Sequence, residues 1–176
     1  RLTEFDNERT RLDQINLISV DHPAYVGIGV STEGAILTYS DPTPPISCLN
    51  QSYVSFLSEI TNSDDNSFTG IDGDSLSFEF NRDPNSESAK LLIMSDKKPE
   101  PPITPVGTVV ADSLGPIKIE VYTDSWIKVY DLWPRKKWGL DIIDLSGYLD
   151  LMDTSLRVKF TWMAEHSIDY VAFDQT

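Results

Sequence analysis

Leu156-Arg157-Val158-Lys159-Phe160-Thr161-Trp162 alternates an apolar residue with a polar one along its whole length. Period two is the spacing of a β-strand with one face in a core and the other in solvent. It assigns Leu156, Val158, Phe160 and Trp162 inward, and Arg157, Lys159 and Thr161 outward. The same pattern recurs upstream. Ile117, Ile119 and Val121 alternate with Lys118, Glu120 and Tyr122, and Ile127 and Val129 alternate with Lys128 and Tyr130. Leu76, Phe78 and Phe80 alternate with Ser75, Ser77 and Glu79. Repeated half-buried strands at short spacing imply antiparallel sheets that share one core.

The rest of the chain is punctuated too densely for long helices. Leu12 to Val20 reads as a strand stopped by Asp21-His22-Pro23. Tyr25 to Val30 and Ala35 to Tyr39 flank the turn-like Ser31-Thr32-Glu33-Gly34 and read as a hairpin. Asp41 to Pro45 is extended and barred from a central strand, because proline lacks the N–H of the ladder. Ser52 to Ile60 is the one helix expected, with Tyr53, Phe56, Leu57 and Ile60 at helical spacing. Thr61 to Gly73 and Arg82 to Ser88 are loops, and Ala89 to Met94 is a buried strand. Ser95 to Pro105 is a proline-rich arm or loop, and Ile168 to Phe173 is the closing strand. The expectation is an all-β fold: one antiparallel two-sheet β-sandwich of jelly-roll type over residues 1–176, with at most one or two short helices.

Composition narrows the function classes. The chain has 176 residues, a net charge of −14 and a single cysteine. One cysteine excludes an internal disulfide framework. A strongly negative chain repels phosphate backbones, so nucleic acid is not an expected partner. No apolar run approaches the roughly 18 residues that span a bilayer, so membrane insertion is not expected. Zinc needs two or more His or Cys at defined spacing, whereas the candidates stand isolated at positions 22, 48 and 166. Glycine-rich phosphate loops are absent as well. His22 reads as a structural turn residue and His166 as a hairpin-loop residue. Cys48 has no basic neighbour to activate it. No nucleophile motif is present, and the many carboxylates carry no glycosidase spacing, so an enzyme is not the expected reading.

Two concentrations of residues could hold a ligand. Between Glu59 and Glu87 lie eight acids and one base. There, Asp64, Asp65, Asp72 and Asp74 could converge on one calcium ion, which takes oxygen ligands alone. The spacing fails the EF-hand pattern, and a solvated acidic loop is the alternative. The second concentration is aromatic. Trp126, Tyr130, Trp133 and Trp138 fall within thirteen residues, together with Arg135-Lys136-Lys137, the only basic triplet in the chain. Tryptophan beside arginine suits a sugar-binding surface, where a ring face meets C–H groups and polar side chains take hydroxyls. It equally suits a protein-binding hot spot. The plain alternative is that Trp126 and Trp138 plug the ends of the sandwich. Trp133 is the best exposed candidate, because Pro134 extends it and the adjacent cations must reach solvent.

The stretch Trp138-Gly139-Leu140-Asp141-Ile142-Ile143-Asp144-Leu145-Ser146-Gly147-Tyr148-Leu149, followed by Leu156 to Trp162 and Ile168 to Asp174, resembles the C-terminal half of galactose-binding-domain-like jelly rolls. In those domains a turn of this kind leads into an alternating strand and a short closing strand. The order of Val20 to Pro23, Asp41 to Ile46 and Ala89 to Ile93 is similar to β-rich modules of large exported archaeal and bacterial proteins. The resemblance implies a jelly roll from an exported protein, and it supplies no catalytic residue. In the turn itself, Asp144 and Ser146 are expected to bond nearby amides. Gly147 is expected to take a positive φ, and Tyr148 and Leu149 to return to the core.

Asn50-Gln51-Ser52 is an N-glycosylation acceptor pattern, which points the same way. The chain opens at Arg1 and reads as a portion of a larger exported protein. The expected function is a non-catalytic extracellular or cell-surface module that binds carbohydrate or a protein surface. The alternative is a structural or assembly domain of a surface layer, appendage or large secreted protein.

Overall fold

The computed structural model describes residues 21–31, 34–64, 66–97, 115–135, 137–149 and 153–176. The strand expected at Leu12 to Val20 and most of the proline-rich segment lie outside them. The strands are β1 (Gly27–Val30), β2 (Ile36–Tyr39), β3 (Ser47–Asn50), β4 (Phe68–Gly70), β5 (Ser75–Asn81) and β6 (Lys90–Lys97). They continue as β7 (Ile117–Tyr122), β8 (Trp126–Leu132), β9 (Gly139–Asp144), β10 (Ser155–Trp162) and β11 (His166–Asp174). Among the described residues the one α-helix, α1, is Leu57–Ile60, and Ser146–Tyr148 form a 3-10 turn.

The strands build a five-stranded sheet in the order β3-β5-β10-β7-β8, a four-stranded sheet β4-β11-β6-β9, and the small hairpin β1-β2. Every strand pairing among the described residues is antiparallel. From β4 onward the chain passes from one sheet to the other at each connection, with the β7-β8 hairpin as the exception. That interleaving of two four-strand sets is jelly-roll wiring, with β3 added at the edge beside β5.

The core forms where the alternation of the strands meets across the sheets. Register aligns Phe78 with Val158 and Val121, and Leu76 with Phe160 and Ile119. Leu91 and Ile93 of β6, Ile143 of β9, and Ile168, Val171 and Phe173 of β11 close the same cluster from the other sheet. Leu156, Val158, Phe160 and Trp162 are all buried, as the alternation assigns them.

β6 and β11 read as near-continuous apolar runs for a different reason: both of their faces are covered. Leu92, Ile142 and Ala172 point away from the main core and pack with Leu37 and Tyr39 of the β1-β2 hairpin. Ser31, just after β1, bridges to Ile142 in parallel. Gly29 is what allows this docking. A Cβ there would stand 2.3 Å from the Ile142 Cδ1.

The structure departs from the sequence reading between Ser52 and Ile60. Only the last four residues are helical. The Asn50 Oδ1 accepts hydrogen bonds from the Ser52 and Val54 amides, and Tyr53 takes a φ of 61°. Ser55 then pairs back onto Leu49. An asparagine that satisfies local amides competes directly with a helix, and here it makes a tight reversal. Phe56, Leu57 and Ile60 still face the core.

Candidate functional site

The aromatic concentration is divided by a β-bulge. β7 and β8 pair in regular register until a shift between Ile119 and Glu120, which leaves Val129 as an extra residue on β8. Ahead of the bulge, Lys128 pairs with Glu120 and Trp126 with Tyr122, on the outer face. Beyond it, Tyr130 pairs with buried Ile119 and Leu132 with buried Ile117. The strict alternation of Ile127 and Val129 with Lys128 and Tyr130 therefore fails. One inserted residue sends Tyr130 to the inner side, where it packs against the core.

Trp126 belongs to the outer face of the five-stranded sheet. It meets Tyr122 edge-on at 5.3 Å, and the Lys159 Nζ sits 4.5 Å from its ring centre. The Arg157 guanidinium stacks 3.7 Å over Tyr122. Glu120 lies between Lys159 at 3.0 Å and Lys118 at 3.2 Å. Partial burial by itself would raise the Glu120 carboxyl, but the two lysines outweigh it and hold the group below its ordinary value. Four cations far apart in sequence (Lys118, Lys128, Arg157 and Lys159) thus share one face with three acids, Glu79, Glu120 and Asp131.

Trp133, Arg135 and Trp138 all belong to the connection from β8 to β9. Leu132 is buried and Pro134 is buried, which pins the turn on both sides of Trp133. Trp133 itself is 59% exposed and Trp138 47%. The Arg135 Nη2 donates to the Asp141 Oδ1 at 2.7 Å. Asp141 is almost fully buried while Arg135 remains largely exposed, so the carboxylate anchors the base of a solvent-facing guanidinium. The Asp141 Oδ2 and the Ser95 Oγ are buried with no hydrogen-bond partner among the described residues. Neither Trp126 nor Trp138 plugs the sandwich; the large buried indole is Trp162.

Tyr130 leads to a third place. The edges of the two sheets at β8 and β9 leave a cleft of about 320 Å³. It is lined by Val129, Tyr130, Ile143 and Asp144, by Gly147 and Tyr148 of the 3-10 turn, and by Ser31, Ala35 and Leu37 of the hairpin region. The turn is built as expected in part. The Asp144 Oδ1 accepts from the Ser146 amide, and the Ser146 Oγ accepts from the distant Ala89 amide. Gly147, however, takes no positive φ, because the turn is 3-10, and Tyr148 faces the cleft and solvent while Leu149 packs on the core.

Among the described residues the acidic loop does not gather its carboxylates. The Asp64 Oδ1 accepts from the Asn66 amide, and Asp74 accepts from the Gln51 side chain and the Ile71 amide. Among the described residues no three His, Cys, Asp or Glu side chains converge on a metal position, Asp64, Asp72 and Asp74 included. Asp65 lies outside the described residues. His166 is no loop residue: it opens β11, buried, with its Nε2 2.6 Å from the Gly115 carbonyl oxygen. Cys48 is fully buried on β3. Burial, reinforced by the charge of Glu59, pushes its thiol up to about 12, which leaves no thiolate nucleophile near neutral pH.

No family model, curated protein or solved structure matches this chain.

Proposed function

We propose that this jelly roll is a non-catalytic extracellular or cell-surface binding module that holds a carbohydrate through the β8-β9 turn. The observation that carries the reading is Trp133, exposed two residues before Arg135, whose guanidinium a buried carboxylate holds in place. A free indole face supplies the apolar contact for a sugar ring, and Arg135 supplies donors for its hydroxyls. Burying such an indole recovers on the order of 2–3 kcal/mol, enough to matter for a small ligand. The jelly-roll wiring supports the resemblance to galactose-binding-domain-like modules, and the glycosylation pattern at Asn50 supports an exported location. A glycan array probed with the protein and with Trp133→Ala tests this. Discrete binding that the variant loses is expected; an identical pattern for both removes the turn from the reading.

A second reading, contact with a protein surface or assembly of copies, is favoured by β8. Among the described residues it is an edge strand of the five-stranded sheet, with Trp126 and Ile127 exposed along it. An unpaired edge offers a ready backbone template for another chain. Light scattering over a range of concentrations decides that case: growth in mass supports assembly, and a constant monomer mass rejects self-assembly.

A further inference from the structure

We propose that the cleft between the β8 and β9 edges binds a small organic cation of the alkylammonium class. This site is separate from the Trp133 turn and goes beyond the reading given above.

Three properties of the cleft select that chemistry. First, its volume of about 320 Å³ lies at the small end of ligand sites, suited to a compact molecule. Second, its lining pairs two phenol rings, Tyr130 and Tyr148, with the aliphatic walls of Leu37, Val129 and Ile143. Aromatic rings attract cations that carry apolar surface more strongly than they attract neutral groups of the same shape. Third, among the described residues Asp144 is the only charged residue of the lining.

The state of Asp144 supports the choice. Its Oδ1 accepts from the Ser146 amide at 2.9 Å, which fixes the carboxylate without neutralising it. The nearest opposed cation in register, Lys90 on β6, turns instead toward Asp174 at 3.6 Å and the Thr176 carbonyl. Asp144 forms no ion pair among the described residues. An anion would be repelled by this carboxylate. The chain's net charge of −14 adds a long-range attraction for cations.

Tetramethylammonium and choline, titrated into the full chain and followed by calorimetry or NMR shifts, are the probes. Saturable binding to both is expected. 3,3-Dimethylbutan-1-ol, the neutral isostere of choline, and methyl galactoside are expected not to saturate. Asp144→Asn keeps the acceptor for the Ser146 amide and is expected to weaken the cations about tenfold, the scale of one close charge. Tyr148→Leu, at a half-exposed position, is expected to weaken them about threefold or more through loss of one ring. The proposal is overturned if the neutral isostere binds as well as choline, if methyl galactoside occupies the cleft instead, or if neither variant changes the affinity. It is also overturned if no saturation occurs by about 100 mM, roughly a hundredfold above millimolar affinity.

Discussion

Replacing Trp162 with alanine should cost far more stability than the same change at Trp133, and the structure sets the scale of both. Trp162 is fully buried on β10, edge-on to Phe68 at 5.2 Å, with Phe160 at 6.4 Å. Its Nε1–H donates to the His166 carbonyl oxygen at 3.0 Å. The backbone of β4 comes so close that a Cβ on Gly70 would lie 2.6 Å from the indole. A space walled by sheet backbone cannot collapse easily, so the cavity term persists. Truncating a buried aromatic costs about 3–5 kcal/mol, and the orphaned carbonyl adds on the order of 1 kcal/mol. Trp162→Ala should therefore lose about 4 kcal/mol or more. That is a large share of a typical total stability of roughly 5–15 kcal/mol. Trp133→Ala removes an exposed ring and should stay within about 0.5 kcal/mol. Urea unfolding followed by far-ultraviolet circular dichroism measures both without relying on the mutated fluorophores. A loss below about 1.5 kcal/mol for Trp162→Ala would refute the packing argument. Unfolding of Trp133→Ala would make that residue a core plug and withdraw the binding surface.

Three other expectations follow from burial and charge. Acrylamide should quench emission from Trp126, Trp133 and Trp138 and leave a protected component from Trp162; uniform quenching would contradict the burial pattern. Cys48, with its thiol raised to about 12, should resist a thiol reagent at pH 8 until denaturant is added, and rapid native labelling would show that β3 opens. Burial alone would raise the Asp174 carboxyl, yet hydrogen bonds from the Asp41, Thr176 and Ser40 amides and the Thr176 hydroxyl hold it below its ordinary value. A depressed carboxyl contributes stability that is complete above the unfolded pKa of about 3.9 and is lost as pH falls through the lower folded value. Asp174→Asn should flatten the acid limb of the stability profile, and an unchanged acid limb would remove this group from the account.

Much of the fold was legible in the sequence, because alternation reports directly on which face is buried. Leu156 to Trp162 and Leu76 to Phe80 are core strands for the reason their spacing gives. Short strands were not legible. β3 and β4 run for only four and three residues, too brief for a period to register, and they are held by their neighbours β5 and β11. The helix expected from Ser52 gave way to the Asn50 reversal, a side-chain effect that spacing does not report. The candidate site was legible as a set of residue types and not as a place. Proximity in sequence grouped Trp126, Tyr130, Trp133, Arg135 and Trp138, but the bulge at Val129 sends the first two to opposite sides of the sheet. The Arg135–Asp141 pair, the cleft beside Tyr130 and the cation-rich outer face depend on strand register. The sequence trace of that outer face was that Lys118, Lys128, Arg157 and Lys159 occupy outward positions of alternating strands.

Carbohydrate binding by the β8-β9 turn through Trp133 is the proposal on which the functional reading stands. Its most direct test is calorimetric titration of the strongest array ligand into the wild-type chain and into Trp133→Ala, with folding of both checked by circular dichroism. Saturable binding by the wild type and at least about a tenfold loss in the variant, equivalent to roughly 1.4 kcal/mol, are expected. Equal affinity in two equally folded proteins would contradict it.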